Sequence, residues 1–223
     1  MATQITVFAH GDSPNPLKVA ILLEELGLDY VPVNKDYGDG PNGVKHPDFL
    51  KINPNGRTPA IIDHTNNDLV VWESGAILLY LAERFDKSGK FAGNSLEERK
   101  EVWEWLIYQV SGLGPSQGQA FWFLHAHPVK DLHPSVAERY INECLRIFSV
   151  LEKRLEEKKY LALERFTLAG QLAKLWIHSA WYATLDLSKF PQIEKWFERV
   201  TAFPSVRRVY ERISAASVNV SPA

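Results

Sequence analysis

The chain has 223 residues, 45% apolar and 23% charged, a balance that suits a folded protein and excludes a disordered one. That length accommodates two modest domains. A formal net charge of −2 gives no electrostatic ground for a nucleic-acid or anionic-membrane partner, and the one cysteine, Cys144, excludes an internal disulfide framework and points to a reducing compartment. No stretch approaches the ~20 apolar residues that span a bilayer, and the start has neither the basic flank nor the apolar run of a secretory signal. No membrane is expected, the cytoplasm is the expected location, and the Asn219-Val-Ser sequon is read as chance.

In chain order, Ile5–Ala9 reads as a short buried strand ended by His10-Gly11-Asp12. A helix follows, with Pro16 suited to its first position, Asn15 to its N-cap and Gly27 to its end; Leu17, Ala20, Ile21 and Leu23 give its apolar spacing. Asp29–Asn34 reads as a second strand, and Asp36–Lys45 as a Gly- and Pro-rich loop within an irregular link. Asn53-Pro-Asn-Gly-Arg-Thr-Pro59 leads into the apolar run from Ala60, and Asn66-Asn67 before Leu69–Trp72 signals a hairpin. Glu73-Ser74 opens a helix carrying Ile77, Leu78, Leu81 and Phe85. These elements make a small α/β domain, placed at residues 1–86.

Asp86–Asn94 is polar and reads as the link. An all-helical bundle is expected over residues 95–223. Its first helix carries Val102, Leu106 and Val110 and is bent or interrupted at Gly112-Leu-Gly-Pro115. Further helices are predicted from Val136 to Lys158, from Thr167 to Trp181, and from Pro191 and Pro204 onward.

The chemistry-bearing residues cluster in the first domain. A cis Thr58–Pro59 bond would turn the chain and face the Thr58 N–H and C=O outward, ready to pair with an extended peptide ligand; a plain turn before an edge strand is the other reading. Glu73-Ser74 at a helix start can receive a carboxylate on its amides and hydroxyl and an ammonium on Glu73, or can simply cap.

The element order, the Asn53–Pro59 turn and Trp72-Glu-Ser-Gly-Ala-Ile77 resemble the thioredoxin-like domain of cytosolic glutathione transferases. Ser13-Pro-Asn-Pro-Leu-Lys18, Gln109-Val-Ser-Gly-Leu-Gly-Pro-Ser-Gln-Gly-Gln119 and Glu138-Arg-Tyr140 are similar to the bacterial nu class and the related fungal nitrogen-regulator group, over about Ile5 to Phe203. The resemblance implies a thioredoxin-like domain joined to a helical bundle, a homodimer, and glutathione as co-substrate with no metal. It implies that Thr58 pairs through its backbone with the cysteinyl unit, with Pro59 beside it in the glutathione-binding set, that Glu73 and Ser74 hold the γ-glutamyl end, and that Ser13 and Asn15 lie near the sulfur. Asn15 cannot act as a base, so it would stabilise the thiolate electrostatically, its carbonyl capping while its NH2 faces the sulfur. Lys45 is the candidate for the glycyl carboxylate, and Lys18 is expected to be a solvated helix residue.

Phe121, Trp122 and Phe123 are candidates for lining an apolar electrophile pocket. His125, His127 and His133 have no standard metal-ligand spacing, and Cys144 fits helical packing. Glu152–Lys159 reads as a solvated helix face with i,i+4 pairs. Where related transferases carry Asp three residues after a Ser/Thr cap, this chain has Gly170 after Thr167, so half of a capping box is missing. The leading expectation is a glutathione transferase directing a thiolate at a disulfide, a hydroperoxide or a small hydrophobic electrophile. A non-catalytic ligandin-type protein and a regulatory interaction protein are the rivals; the regulator's Asn/Gln-rich N-terminal extension is not part of this sequence.

Overall fold

The computed structural model describes residues 3–11, 13–129, 131–170, 177 and 179–218. The chain divides into two compact units, one taking residues up to Gly89 together with the helix from Pro204, the other running Lys90–Ala202.

In the first unit, β1 (Ile5–Ala9), α1 (Pro14–Leu26) and β2 (Tyr30–Asn34) form a β-α-β crossover, with β1 and β2 parallel. β3 (Ala60–Asp63) lies antiparallel to β1, and β4 (Leu69–Trp72) antiparallel to β3, giving the sheet order β2-β1-β3-β4. Pro32, which has no N–H to give, sits in the edge strand β2, where the missing donor costs least. The β3–β4 turn places Asn67 and Asp68 at φ 52° and 54°, the left-handed conformation that short polar side chains tolerate. α1 ends at Gly27 with φ 68°, its N–H returning to the Leu23 and Glu24 carbonyls.

α3 (Ser74–Phe85) packs beside α1, and both cover the sheet through Ile21, Leu22, Leu23, Ile77, Leu78 and Leu81, none of them exposed. One ionic cluster fixes the β3–β4 hairpin to α3. Fully buried Asp63 accepts from the Tyr80 hydroxyl (2.7 Å) and the Thr65 amide (2.8 Å) and forms an ion pair with Arg84, whose Nε lies 2.8 Å away. The short α2 (Pro47–Ile52) lies where the sequence reading has an irregular link. Pro47 opens it, Asp48 sits in its first turn, and the His46 ring accepts the Asp48 amide; six residues are too few to display a period.

In the second unit, α4 (Leu96–Tyr108) is capped by Ser95, and a π-helical turn (Gln109–Leu113) joins it to α5 (Gly114–Phe121). The expected interruption at Gly112–Pro115 therefore takes the form of a π turn followed by a fresh helix with Pro115 in its first turn. A second π turn covers Trp122–Ala126. α6 (Ser135–Glu157) buries Cys144, Ile147, Phe148, Leu151 and Leu155. α7 (Pro191–Thr201) packs on α6 through Ile193, Trp196 and Val200. Both late prolines begin helices, and most of the helix predicted from Thr167 to Trp181 lies outside the described residues.

The charge run at the end of α6 keeps Lys153, Glu156, Glu157, Lys158 and Lys159 exposed, as expected of a solvated face, while Glu152 and Arg154 have partners other than the expected i,i+4 ones. Glu152 accepts the Gln192 and Ile193 amides at 2.8 and 2.9 Å, capping α7, while Arg154 binds Glu101 and the Leu161 carbonyl. Lys158 pairs with Glu164 at 3.2 Å. Glu152 and Arg154 thus reach segments 40 to 53 residues away, while Lys158 and the Leu161 contact tie down the loop that follows the helix.

α8 (Pro204–Val218) belongs to the first unit and packs against α1. Its Arg208 and Arg212 reach the two Glu24 carboxylate oxygens at 2.8 and 2.7 Å. This helix falls within residues 95–223, the range read as the helical bundle, yet its packing partners are in the first domain.

Candidate active site

Two segments of the first unit meet around Asn55. The buried Asn53 side chain donates to the Arg57 carbonyl at 2.6 Å and accepts the Asn55 amide at 3.0 Å, holding the turn. Gly56 stands at φ 59°, which favours glycine there, and the Thr58–Pro59 bond is cis. The turn then carries Thr58 to the start of β3, two residues before the ladder begins at Ala60. Lys45 donates from Nζ to the Asn55 carbonyl at 2.8 Å, and the Asn55 side-chain amide donates to Glu73 Oε1 at 3.3 Å. Lys45, the Asn53–Pro59 turn and Glu73 are thereby gathered from positions up to 28 residues apart in the sequence.

Glu73 sits at φ 70°, a left-handed conformation that costs a non-glycine residue about 1–3 kcal/mol. It precedes α3, and Ser74, 7% exposed, is the first residue of that helix. The Glu73 side chain makes no cap bond, so its carboxylate stays exposed above the helix start, beside amides that attract an anion.

Ser13 and Asn15 lie at the head of α1, and one expectation is corrected there. The helix begins at Pro14, so Ser13 is the N-cap and Asn15 lies within the first turn. Pro14 pre-sets the helical φ and needs no acceptor, which moves the start two residues toward the N-terminus. Ser13 makes no side-chain cap bond, and the Asn15 side chain makes no hydrogen bond to another described residue. Neither polar group is tied up in capping.

In the second unit, the three consecutive aromatics take separate neighbours. The Phe121 ring lies 5.2 Å from His125, and Trp122, 45% exposed, meets His127 edge-on at 6.0 Å. Phe123 is stacked between Tyr140 (5.5 Å, 10°) and His127 (5.4 Å, 25°). His127 and His133 each accept a nearby backbone amide, from Val129 at 3.1 Å and Ser135 at 3.3 Å. No group of three His, Cys, Asp or Glu side chains placed for a metal occurs among the described residues. Cys144 is wholly buried, and burial, reinforced by the Glu143 charge, pushes its thiol up to about 12; it is a packing group with no usable thiolate at neutral pH.

Residues 3–83 match the family described as Glutathione S-transferase, N-terminal domain, and residues 120–204 match Glutathione S-transferase, C-terminal domain. The Disulfide-bond oxidoreductase YfcG of Escherichia coli K12 is 40% identical over 197 residues, covering 86% of this chain and 88% of that protein. The chain belongs to the glutathione transferase family. Two solved structures from Phanerochaete chrysosporium carry the same thioredoxin-like and helical fold. The transferase URE2P6, in complex with oxidized glutathione, matches with a TM-score of 0.89 at 39% identity, covering 96% of this chain and 98% of its own. URE2P5 cocrystallized with 1-(S-glutathionyl)-2,4-dinitrobenzene gives 0.86 at 37% identity and covers 100% of both chains.

One group of this transferase contradicts its sequence reading. Lys18 is not solvated: none of it is exposed. The signal was the run Leu17–Leu23, in which every residue but Ala20 is buried, too broad an apolar surface for a helix with one wet face. Burial lowers its ammonium to about 7, and the negative charge of Glu73 opposes that fall.

Proposed function

We propose that this transferase binds glutathione across the first unit and directs its thiolate at a disulfide, a hydroperoxide or a small hydrophobic electrophile. The glutathione-binding domain would be residues 1–86 and the helical domain residues 95–223. Glu73 would take the γ-glutamyl ammonium, Ser74 and the first α3 amides its carboxylate, the Thr58 backbone beside Pro59 the cysteinyl unit, and Lys45 the glycyl carboxylate. The thiol would then lie over the head of α1. A thiol of pKa ~8.5 is mostly protonated at neutral pH, so the site must favour the anion. The Asn15 amide, the Ser13 hydroxyl and the α1 N-terminus all donate toward such a charge, and the proton leaves to solvent because neither side chain accepts it.

With a disulfide, the thiolate attacks one sulfur and the other leaves as a thiolate that takes a proton; a second glutathione then releases oxidized glutathione. The observation that carries the thiolate assignment is that Asn15 and Ser13 both stand at a helix start without a capping role. The similarity to the disulfide-bond oxidoreductase YfcG and to two fungal structures with glutathione-derived ligands supports the same chemistry. Phe121, Trp122 and Phe123 would meet the electrophile. A homodimer fits the apolar side chains left exposed on β4 (Leu69, Val70, Trp72) and on α4 (Leu96, Trp103, Ile107), and a cytoplasmic location supplies the glutathione.

Turnover tests the reading. Wild type and Asn15→Ala are assayed with glutathione against a model disulfide, a hydroperoxide and an aryl halide. Turnover that drops in the variant supports it; glutathione binding without turnover on any of the three would favour a ligandin.

A further inference from the structure

Asn55 is where the two groups assigned to opposite ends of the tripeptide meet. Its main-chain carbonyl accepts Lys45 Nζ at 2.8 Å, and its side chain lies 3.3 Å from Glu73 Oε1. A carboxylate only accepts, so the NH2 of the Asn55 amide faces Glu73. Asn55 is itself held in place. Its main-chain N–H donates to Asn53 Oδ1 at 3.0 Å, and the Gly56 amide returns to the Asn53 carbonyl at 2.9 Å. Gly56 leaves room for the Lys45 side chain, because a Cβ there would stand 2.8 Å from Lys45 Cδ and 2.9 Å from its Nζ.

Glu73 has little else to orient it. It is exposed, stands at φ 70° and makes no cap bond to its own helix. Asn55 is the one hydrogen-bond partner of its carboxylate among the described residues. A free glutamate side chain samples many rotamers, and a ligand that selects one of them binds more weakly by the entropy lost. With Oε1 already held, that ordering precedes binding and Oε2 is left to receive a cation.

We propose that Asn55 is a positioning residue for glutathione: its side chain pre-sets Glu73 for the γ-glutamyl ammonium while its carbonyl steadies Lys45 at the glycyl end. This rests on the reading that Glu73 and Lys45 hold those two ends. One bond to Asn55 leaves the Lys45 ammonium two further donors for a carboxylate. The two roles use different atoms, so mutation separates them. Truncating the side chain removes the bond to Glu73 and keeps the carbonyl for Lys45.

Glutarylcysteinylglycine, which is glutathione without its α-amino group, isolates the effect. Calorimetric titration compares it with glutathione on wild type, Asn55→Ala and Asn55→Ser; serine keeps a small polar group in the turn but is too short to hold Glu73. Wild type should prefer glutathione. Asn55→Ala should weaken glutathione about three- to tenfold and leave the analogue within about twofold, since the analogue has no ammonium to place. A merely loosened turn would weaken both ligands alike. In a Glu73→Gln background, adding Asn55→Ala should cost glutathione no further affinity. Should alanine destabilise the turn, Asn55→Ser gives the same comparison.

Undiminished glutathione affinity in the variants, or equal weakening of both ligands, overturns the proposal and leaves the Glu73 reading in place. Wild type that binds the two ligands equally overturns the Glu73 reading itself, and the proposal with it.

Discussion

The two units of this transferase solve different problems with different materials. In the first, polar side chains reach across the sequence to one another: Asn53 to Arg57, Asn55 to Glu73, Lys45 to Asn55, Asp63 to Tyr80 and Arg84. Directional bonds of this kind fix atoms to within tenths of an ångström, as recognition of one invariant peptide requires. In the second, the candidate pocket residues are held by ring stacking beside a π turn, and one large aromatic remains nearly half exposed. Stacking tolerates sliding, which suits a wall that meets varied electrophiles. On the proposed reading, invariance would fall to one unit and selectivity to the other, and that contrast can be broken by substitution.

The largest effect is expected in the first unit's ionic cluster. Arg84→Met leaves the Asp63 carboxylate buried without its counter-charge, and should cost about 3–4 kcal/mol of stability in chemical denaturation, less than a fully buried pair because Arg84 is about a third exposed. Burial tends to raise the Asp63 carboxyl, but the hydrogen bonds of Thr65 and Tyr80 and the charge of Arg84 prevail and hold it below the usual value. A depressed folded pKa stabilises fully above the unfolded value of about 3.9, and that contribution disappears as pH falls through the folded value. Wild type should therefore lose stability more steeply than Arg84→Met on acidification below about pH 4. Equal slopes would show that the cluster is not the first unit's anchor.

Next in size is the thiolate. Asn15→Ala should reduce kcat by about 10²-fold, close to 3 kcal/mol, with little change in glutathione KM. The comparison demands that the loss be the same for disulfide, hydroperoxide and aryl halide, because all three use one thiolate. A loss confined to one substrate would move Asn15 from activation to electrophile binding.

Phe123→Leu tests the other unit. It removes the ring between His127 and Tyr140 and should weaken kcat/KM for the aryl halide about fivefold, about 1 kcal/mol, while hydroperoxide turnover stays within twofold. A uniform loss over both substrates would deny the helical unit a role in selectivity.

How much of this was legible in the sequence follows the same division. β1 and β4 end where their apolar runs end, Gly27 closes α1, and the prolines at 191 and 204 open helices, because each is a local backbone preference. The turn at Asn53–Pro59 was legible for the same reason. What escaped was tertiary. Asn15 was read as a cap because Ser-Pro-Asn-Pro offers two prolines for one first position, and only the folded helix shows that Pro14 takes it. Lys18 was read as wet because lysine usually is; its burial depends on α3 and α8 covering the same face. The charges of α6 were read as neighbours of one another, whereas Glu152 and Arg154 serve segments 41 and 53 residues away.

The smallest effect concerns the missing half of the capping box, where adding a group should strengthen the second unit. Thr167 is fully buried and its hydroxyl has no hydrogen-bond partner among the described residues, while the Gly170 amide turns to the Thr167 carbonyl at 3.0 Å. Among the described residues, the nearest atoms a Cβ at Gly170 would meet are the Phe166 ring at 3.4 Å and Trp196 at 3.9 Å, ordinary contacts. Gly170→Ala should therefore gain about 0.5–1 kcal/mol from helix propensity alone, seen as a rise in Tm. Gly170→Asp supplies a carboxylate that can reach back to the Thr167 amide at the helix start, where a negative charge is favoured, and should add a few tenths of a kcal/mol beyond Ala. The site is buried, so that gain opposes a desolvation cost of similar size. If Asp proves less stable than Ala, desolvation outweighs the cap, and the glycine is there because the surrounding rings leave a carboxylate too little water.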